Sequence, residues 1–571
     1  MLYPLSYGGP GGLSRLQKMI TDHLTELVAA AFDAAAADGS LELEVAPEIR
    51  FERPKRKEHG DWATSVALAG AKGAGRPPRE VAETLLEHLP PSDQVTAVEI
   101  AGPGFMNFRL SPAWRHEVVR RAADPAGGFG RTNAGAGAQV NVEYVSSNPT
   151  GPINVVSGRH AAIGDALANL LEATGHKVIR EYYFNDAGSQ LRLFGRSIEA
   201  HYLRSFGIEA ELPEGGYRGD YIADLAAEIA AKDGDLHVHK PPEERVDAFV
   251  AMGSQRVLIR IKASLERFGT HFDVWFLERS LHESGALDVA LRRLTDNGSV
   301  EERDGAVWFR SSRFGDDKDR VLIRSTGAPT YFASDVAYLA DKFGRGFDRL
   351  IYLWGPDHHG TVPRLLAAAE ALGFERERVE VPLVQMITIA RGGAALKASK
   401  RAGVYVGLDE LIDEVGVDAA RFTFLTRAME SPLDFDIDIV TRQAPENPVY
   451  YVQYAHARIS SILRRASSQG LEPSLDAGVL RRLVHSGEED LMNKLAAFEE
   501  ALPEAAALRA PQRIVRYVEE LAAVFSAFYR DCKVISEDTE LTQARLALCV
   551  ATKAVIADGL GLLGVSAPEK M

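Results

Sequence analysis

The sequence predicts an α/β protein with a doubly wound parallel sheet, preceded by an α+β domain and followed by an all-helical domain. First, short strand-like runs alternate with helical stretches over residues 139–446, the order that places parallel strands between two layers of helices. Second, nearly every stretch from about Pro448 to the end has helical periodicity. Third, a chain of 571 residues is too long for one hydrophobic core, so several domains are expected.

Residues 1–125 are predicted to form the small α+β domain. A helix is expected over Leu13–Ala37, a strand within "LELEVAPEIRFERP", a helix in "PPREVAETLLEHL", and two strands joined by a turn in "VTAVEIAGPGFMNFRL". The segment 126–138, "AGGFGRTNAGAGA", is rich in glycine and is predicted to be a linker.

The doubly wound domain is predicted to span residues 139–446. It opens with a strand in "AQVNVEYVSS", a loop and a helix, and it continues with strands in "HKVIREYYF", "FDRLIYLWG" and "VEVPLVQMITIA". The polar and mostly helical stretch 196–294 is predicted to be an insertion in this domain. Residues 447–571 are predicted to form the helical domain.

Composition limits the classes of protein that the chain can belong to. The formal net charge of −15 argues against a protein that coats nucleic acid non-specifically, but it allows a nucleic-acid enzyme with a local basic face. Two cysteines cannot make a disulfide framework. No apolar run is long enough to cross a membrane, and the N-terminus lacks a signal-peptide pattern. A cytoplasmic protein without a membrane partner is therefore expected.

The stretch "NPTGPINVVSGRHAAIGDAL" has the composition of a phosphate-binding loop that leads into a helix. A helix that starts near Ser157 or Gly158 offers free backbone N–H groups and a positive dipole end to phosphate. Asn154 and Ser157 can add side-chain donors, and His160 is expected one turn further on. The alternative is that this is only a turn before a helix.

A second candidate is "LKASKRAG", with Lys397, Ser399 and Lys400 in a loop beside glycine. Two ammonium groups in such a loop can stabilise the negative charge that builds on phosphate oxygens during displacement. Taken alone, however, two lysines at this spacing are also typical of a solvated surface.

A third set combines acidic, amide and phenol groups: Glu143 on the strand, Asn148 after it, and Tyr331 with Asp335 in "PTYFASDVAYLADKF". Carboxylates at strand ends suit a cationic ligand, above all a guanidinium group, whose donors match carboxylate oxygens. The alternatives are that Glu143 pairs with a protein arginine and that Asp335 is a helix N-cap.

A fourth set opens the helical domain in "NPVYYVQYAHARISSILRRA". Aromatic rings beside guanidinium groups suit stacking on unpaired RNA bases and contact with phosphates. The residues predicted to contact RNA are Tyr450, Tyr454, His456, Arg458 and Arg464. The alternative is that the tyrosines are core residues and the arginines form a solvated face.

Together these stretches resemble the arginyl-tRNA synthetases, a family of class I aminoacyl-tRNA synthetases, over nearly the whole chain. "GDWATSVALAGAKGAGRPPREVAETL" and "VEIAGPGFMNFRL" resemble the family's N-terminal extra domain. "VEYVSSNPTGP", "IYLWGPDHHG" and "LKASKRAG" resemble its catalytic domain. "VGVDAARFTFLTR", the tyrosine segment and "LLGVSAPEKM" resemble its anticodon-binding part.

The chain departs from the family at one signature motif. Where the family carries its HIGH motif, this chain has Asn154-Val155-Val156-Ser157, so both histidines and the glycine are replaced. Asn154 and Ser157 remain hydrogen-bond donors, and His160 stands where glycine is common. The second signature, KMSKS, is present as Lys397-Ala398-Ser399-Lys400-Arg401, with both lysines kept.

The resemblance implies a Rossmann-like catalytic domain that activates L-arginine with ATP and Mg²⁺ and then transfers it to the terminal adenosine of tRNA(Arg). It implies a monomer, with no metal site of its own, whose N-terminal domain contacts the tRNA elbow. It assigns the catalytic role to Lys397, Lys400, Asn154 and Ser157, ATP binding to these residues with Gly158, His160 and Ser399, and arginine binding to Glu143, Asn148, Tyr331, Asp335 and His358. Three other hypotheses stay open: a paralogue that has lost activation through its altered HIGH motif, another α/β nucleotidyl transferase or a different class I synthetase, and a purely RNA-binding module.

Overall fold

A computed structural model describes residues 15–41, 47–54, 56–124, 126–186, 189–395 and 407–571. An antiparallel sheet with helices, a parallel sheet with helices, and a set of helices follow one another along the chain, as the sequence predicts. None of the described helices is long and apolar enough to span a membrane.

The N-terminal region is a four-stranded antiparallel sheet in the order β1-β2-β4-β3, covered by helices. Its elements are α1 (Arg15–Ala37), β1 (Phe51–Glu52), β2 (Trp62–Thr64), α2 (Val66–Ala74), α3 (Pro78–Glu87), β3 (Val95–Ala101), β4 (Phe105–Leu110) and α4 (Pro112–Ala123). Ser111 caps α4 by accepting a hydrogen bond from the N–H of Ala113, and Pro112 occupies the first helical position, where its missing N–H has no cost. The predicted first strand is regular only over Phe51–Glu52 among the described residues, and β2, α2 and α4 are additional elements.

The middle region is built around five parallel strands in the order β12-β11-β5-β6-β7. Its first half comprises β5 (Gln139–Glu143), α5 (Val155–Ala173), β6 (Lys177–Phe184), α6 (Ser189–Ser205), α7 (Asp220–Asp233), α8 (Pro242–Arg267), β7 (Val274–Leu277), α9 (Arg279–Glu283) and α10 (Ala286–Asp296). The stretch 196–294 is therefore not wholly helical, because β7 lies inside it and forms an edge of the sheet.

The second half of this region adds two small three-stranded sheets, β10-β9-β8 and β14-β13-β15. It comprises β8 (Val300–Arg303), β9 (Ala306–Phe309), β10 (Arg320–Ile323), α11 (Tyr331–Gly344), β11 (Arg349–Tyr352), α12 (Val362–Ala371), β12 (Val379–Glu380), β13 (Ile387–Arg391), β14 (Ala394–Ala395), α13 (Leu408–Val415), α14 (Val417–Phe424), β15 (Leu433–Asp436) and α15 (Ile437–Val440). The central strand β5 is buried on both faces, as expected for a parallel sheet covered by helices.

The C-terminal region contains helices only: α16 (Pro448–Ser467), α17 (Ala477–Leu480), α18 (Ser486–Ala496), α19 (Phe498–Ala507), α20 (Gln512–Asp531) and α21 (Thr539–Leu562). The fully buried Arg421 of α14 ties this region to the parallel sheet domain. Its guanidinium donates to the carbonyl oxygens of Leu563 and Phe268 and to the carboxylate of Asp165 on α5. One buried cation therefore joins three separate stretches of chain.

Candidate active site

A cavity of about 610 Å³ opens at the carboxyl ends of the parallel strands β5, β6, β7 and β11. Ligands of doubly wound sheets bind at this edge. All five residues predicted to bind arginine line it, and so do Ser157 and His160 from the predicted ATP set: Glu143, Asn148, Tyr331, Asp335, His358, Ser157 and His160. The structure therefore brings together residues that are more than 200 positions apart in the sequence.

Helix α11 presents one face to this cavity and the sheet beneath it. Tyr331, Asp335, Tyr338 and Lys342 recur at spacings of four, three and four residues, which places their side chains on one side of a helix. The N-cap of the helix is Thr330, whose side chain accepts a hydrogen bond from the N–H of Ala333. The alternative that Asp335 is the N-cap is therefore wrong, and its carboxyl group is available to the cavity.

Glu143 and Lys342 form a buried ion pair at the base of the cavity. The Nζ atom of Lys342 lies 2.6 Å from Oε2 of Glu143, and the ammonium group also lies over the rings of Tyr338 and Tyr352. Ser146 donates a hydrogen bond to the other carboxylate oxygen of Glu143. The alternative that Glu143 pairs with a cation of the protein is therefore correct, although that cation is a lysine and not the expected arginine.

Two other carboxyl groups of the cavity lack such a partner. Neither Asp335 nor Glu278 forms an ion pair within the part of the chain that the structure describes, and Oε2 of Glu278 is buried without a hydrogen-bond partner. Burial and the negative charges of Glu278 and Glu143 raise the pKa of Asp335 to about 7, against the opposing charge of Arg364. Burial likewise raises the pKa of Glu278, against the hydroxyl groups of Ser334 and Tyr183 beside it.

The loop after β5 approaches the cavity through an unusual backbone path. Val145 and Ser146 have φ values of 67° and 39°, a left-handed conformation that residues other than glycine rarely adopt. In this conformation the Ser146 side chain accepts a hydrogen bond from the N–H of Tyr183 on β6 and donates one to Glu143. Strained residues of this kind cluster at functional sites.

The start of α5 is organised differently from the prediction at two positions. Asn154 is the N-cap, and its side-chain oxygen accepts a hydrogen bond of 3.0 Å from the N–H of Ser157. Asn154 does not line the cavity, so the structure assigns its side chain to capping. The N–H of Gly158 donates to the carbonyl of Asn154, and a Cβ at Gly158 would lie 2.7 Å from Leu408. Gly158 is therefore a packing residue with no free N–H for ATP, contrary to the prediction.

Ser157 and His160 do face the cavity, together with Val156. Burial lowers the pKa of His160 to about 4, against the opposing effect of a hydrogen bond with the Leu353 backbone. In the protein without a bound ligand the ring is therefore neutral at physiological pH. Its Nδ1 atom is buried without a partner.

Lys397, Ser399 and Lys400 lie outside the described residues. The structure does show where the chain resumes, because Gly407 forms an isolated β-bridge with Asn154 at the start of α5. The chain at Gly407 therefore lies beside the start of α5, the helix that carries Ser157.

A second cleft, of about 1150 Å³, lies in the helical region beside α16. The guanidinium of Arg458 lies 4.6 Å from the ring centre of Tyr454 and 5.2 Å from that of Tyr529. Six cationic side chains line the cleft against three carboxylates: Arg458, Arg464, Arg465, Arg530, Lys533 and Lys570 against Asp531, Glu537 and Glu569. The acidic chain thus has a local basic surface with exposed aromatic rings.

Two of the predicted RNA contacts lie elsewhere. His456 is buried, and its Nδ1 atom lies 2.8 Å from the carbonyl oxygen of Pro568, so it holds the C-terminal segment against α16 and is not available to RNA. Tyr450 stacks on Tyr454 but lines a neighbouring groove. Tyr454, Arg458 and Arg464 do line the cleft.

The sequence gives only partial signals for the residues that the prediction misses. Lys342 could be recognised from its helical spacing to Asp335 and Tyr331. Glu278 has no such signal, because it follows a four-residue strand inside a stretch that is otherwise helical. The sequence also gives no signal for the left-handed conformations of Val145 and Ser146, because neither valine nor serine favours them.

Comparison with known proteins places the chain among the arginyl-tRNA synthetases. Three family models match: "Arginyl tRNA synthetase N terminal domain" over residues 14–110, "tRNA synthetases class I (R), catalytic domain" over 128–427, and "DALR anticodon binding domain" over 452–571. The arginine–tRNA ligase of Carboxydothermus hydrogenoformans is 46% identical over 94% of this chain and 97% of its own length. That of Frankia alni is 47% identical over 96% and 99%. The Thermus thermophilus arginyl-tRNA synthetase structure has the same fold, with a TM-score of 0.71 at 24% identity over 96% of this chain and 100% of that one.

Proposed function

The chain belongs to the class I arginyl-tRNA synthetases, and from its cavity we infer that it is an arginine–tRNA ligase that activates L-arginine with ATP. In the first step the arginine carboxylate attacks the α-phosphate of ATP, which forms arginyl-adenylate and releases pyrophosphate. In the second step a hydroxyl group of the terminal adenosine of tRNA(Arg) attacks the activated carbonyl, and AMP leaves.

The observation that carries this function is the cavity with two buried carboxyl groups that lack a cation. An empty site with uncompensated carboxyl groups is costly, because burial of charge is unfavourable without a partner. A guanidinium group supplies a positive charge and a planar fork of N–H donors that matches two carboxylates. Lysine carries the charge but not the fork, so it satisfies fewer of the buried oxygens.

We assign the roles within the arginine site from the residues that line the cavity. Asp335 is proposed to face the guanidinium, and Tyr331, Asn148 and His358, which line the same cavity, are proposed to contact the rest of the arginine molecule. Glu143 is already paired with Lys342, so it is not a free anion. Its proposed role is to stabilise the base of the cavity and to present a polar surface there. An amino acid with a neutral side chain is then rejected because it leaves the buried carboxyl groups unpaired, which is costly.

ATP is proposed to bind over the start of α5, beside Ser157, Val156 and His160. The positive end of the helix dipole and the Ser157 hydroxyl favour phosphate charge there. Lys397 and Lys400, with Ser399 between them, are assigned to phosphate by resemblance alone. The reaction needs no protein nucleophile, so catalysis consists of positioning and of electrostatic stabilisation as charge develops.

Mg²⁺ is proposed as the companion of ATP and not as a resident ion. Within residues that the structure describes, no cluster of three or more His, Cys, Asp or Glu side chains is arranged to hold a metal.

The cleft beside α16 is proposed to bind the anticodon end of tRNA(Arg). Tyr454, Tyr529 and Arg458 offer stacking surfaces for unpaired bases, and the cationic side chains around them suit the phosphate backbone. The N-terminal region is proposed to contact the tRNA elbow. We further propose that the enzyme works as a monomer in the cytoplasm.

Transfer of labelled arginine to tRNA(Arg) tests the proposed function directly. Purified protein with ATP and Mg²⁺ is expected to charge tRNA with arginine, and not with lysine or citrulline. Binding of tRNA without any charging would instead indicate the paralogue that has lost activation, which no observation on the described residues favours.

A further inference from the structure

Arg159 of α5 is a buried cation without a carboxylate partner. Its side chain is fully buried, and it forms no ion pair within the parts of the chain that the structure describes. Burial lowers the pKa of the guanidinium to about 10, against the opposing charge of Glu430, so the group keeps its charge at neutral pH. A buried charge is costly unless other polar groups compensate for it. The groups that do so therefore indicate what this arginine is for.

Four backbone carbonyl groups compensate for the charge. Nη1 donates to the carbonyl oxygens of Gln385 and Met386, at 2.7 and 3.4 Å, and Nη2 donates to those of Ala428 and Ser431, at 3.2 and 2.9 Å. The third nitrogen, Nε, has no hydrogen-bond partner among the described residues. The guanidinium fork thus joins two separate stretches of chain, whereas the ammonium group of a lysine is a compact point charge.

Both stretches lead into one small sheet. Gln385 and Met386 directly precede β13, and the other two carbonyl groups lie just before β15. The two strands pair in parallel, and the N–H of Gln385 donates to the carbonyl of Met429 over 2.7 Å. Arg159 therefore holds the beginning of the β14-β13-β15 sheet against α5.

The same part of α5 faces the ligand cavity. Ser157 and His160 line the cavity, whereas Arg159, which lies between them in the sequence, does not. The Arg159 side chain is directed to the sheet, so one turn of the helix has a ligand face and a sheet face. A shift of the sheet along the helix would therefore change the distance between the sheet and a ligand bound beside Ser157.

The sheet also leads into the segment assigned to phosphate by resemblance. β14 ends at Ala395, shortly before Lys397 and Lys400 in the sequence, and both lysines lie outside the described residues. After this segment the chain returns to α5, where the N–H of Leu408 donates to the carbonyl of Ile153 over 2.9 Å. The chain before the segment and the chain after it are therefore both held at the start of α5.

We propose that Arg159 is a positioning residue for arginine activation, which holds the β14-β13-β15 sheet in place against the ATP-binding start of α5. This proposal rests on the proposed function, because it takes the space beside Ser157 as the ATP site. Arg159 lies outside the cavity, so it acts through the groups that it holds and not by contact with ATP. In-line attack on the α-phosphate depends on alignment, and a misplacement of about 1 Å can slow such a reaction roughly a hundredfold.

Arg159→Met removes both the donors and the charge. Arginine-dependent exchange of pyrophosphate into ATP, with the full chain and saturating tRNA(Arg), measures the effect. We expect the kcat of exchange to fall roughly a hundredfold. The KM for arginine should change less than roughly twofold, because the lost alignment matters in the transition state and not in the binding of arginine.

Two measurements separate positioning from a general loss of structure. Titration with labelled tRNA(Arg), below the unfolding temperature of each variant, gives the fraction of molecules that bind, and this fraction should equal that of the wild type. Arg180→Met is the matched control, since this mostly buried arginine of β6 contacts Glu172 and Asn169 on the other half of α5. The control should lose stability but keep the kcat of the wild type.

Arg159→Lys separates geometry from charge. Lysine keeps a positive charge, but its ammonium group cannot span both pairs of carbonyl groups. If the position of the sheet matters, kcat should stay at least roughly tenfold below that of the wild type. A wild-type kcat in Arg159→Lys would show that the charge alone is needed, and it would overturn the proposal.

The outcomes separate this proposal from the function on which it rests. A kcat of Arg159→Met within roughly twofold of the wild type, or a loss of kcat that parallels a loss of tRNA-binding molecules, overturns the proposal and leaves the proposed function intact. If the wild type shows no arginine-dependent exchange in the presence of tRNA, the proposed function fails and the proposal fails with it. If Arg159→Met does not fold, Arg159→Lys decides by the criterion given for it.

Discussion

The ammonium nitrogen of Lys342 lies 2.6 Å from a carboxylate oxygen of Glu143, and both side chains are buried beneath the cavity. This ion pair changes how the arginine site is understood. The sequence suggests four polar groups around a guanidinium, with Glu143 as one of the two anions. In the structure the charge of Glu143 is already compensated, so the negative charge available to a ligand belongs to Asp335 and Glu278.

Removal of Lys342 should destabilise the fold strongly. Lys342→Met leaves the Glu143 charge buried without a partner, and breaking a buried pair in this way costs about 3–5 kcal/mol of unfolding free energy. Adding Glu143→Gln to this variant should recover much of the loss, because the uncompensated charge is then gone. Urea denaturation measures both variants.

The matched control is Lys553→Met, which breaks a more exposed ion pair with Glu569 and should cost less than about 1 kcal/mol. Equal losses for Lys342→Met and Lys553→Met would show that the pair beneath the cavity has no special role.

Asp335→Asn should weaken arginine recognition while keeping the shape of the site. Loss of a charge-assisted hydrogen bond is worth about 1.5–3 kcal/mol, so the KM for arginine should rise roughly tenfold or more. Asp341→Asn on the same helix, where the carboxylate pairs with Arg345, should change this KM less than roughly twofold. An unchanged KM in Asp335→Asn removes Asp335 from the site.

The same variant has a stability signature that separates a functional role from a structural one. The pKa of Asp335 is raised from its ordinary value of 3.8 to about 7, so its contribution to the stability of the empty protein is lost as the pH rises through that range. Asp335→Asn should therefore stabilise the empty protein most at pH 8, less at pH 5, and little below about pH 4. A loss of stability at pH 8 would show that the carboxylate has a structural partner.

Asn154→Ala and Ser157→Ala should separate capping from catalysis at the altered HIGH motif. Asn154→Ala removes a helix cap and should cost about 1 kcal/mol of stability, with little effect on the rate of adenylate formation. Ser157→Ala should slow adenylate formation more than it weakens ATP binding, because a hydrogen bond to phosphate matters most where charge develops. If Asn154→Ala slowed adenylate formation and Ser157→Ala did not, the catalytic role would belong to Asn154.

Arg458→Ala should weaken tRNA binding through the cleft beside α16. The change removes a cation and its contact with two tyrosine rings, and stacking contacts of this kind are worth about 1–3 kcal/mol per base. The salt dependence of binding should also become less steep, since one phosphate contact is lost. Arg516→Ala, at an exposed position of α20 outside the cleft, is the control. Equal behaviour of the two variants in a filter-binding or anisotropy titration would place the tRNA elsewhere.

The sequence predicts most of the fold and much of the site because their signals are local. Alternation of strands and helices gives the parallel sheet, and the ends of its strands collect Glu143, Asn148 and His358 at one edge. The contacts that change the chemistry are not local. Lys342 meets Glu143 across about two hundred residues, and no pattern in either segment predicts that they neutralise each other.

Other differences have equally specific causes. His456 has the spacing of an RNA contact, but the C-terminal segment covers it. That segment has no periodic pattern from which its position against α16 could be predicted. Gly158 lies in a stretch with the composition of a phosphate-binding loop, but Leu408 of α13 packs against it. Glu278 follows a strand too short to stand out within helical surroundings, so its approach to Asp335 becomes visible only when the sheet is assembled.

Arginine-dependent exchange of pyrophosphate into ATP, measured with and without tRNA(Arg), is the decisive test of amino-acid activation by this chain. We predict exchange that requires arginine, is not supported by lysine, and proceeds despite the absence of both histidines from the HIGH motif. We expect it to depend on tRNA, as is general in this family. Arginine and tRNA binding without any exchange, under conditions where the tRNA is intact, would contradict the account and leave a tRNA-binding protein that no longer activates its amino acid.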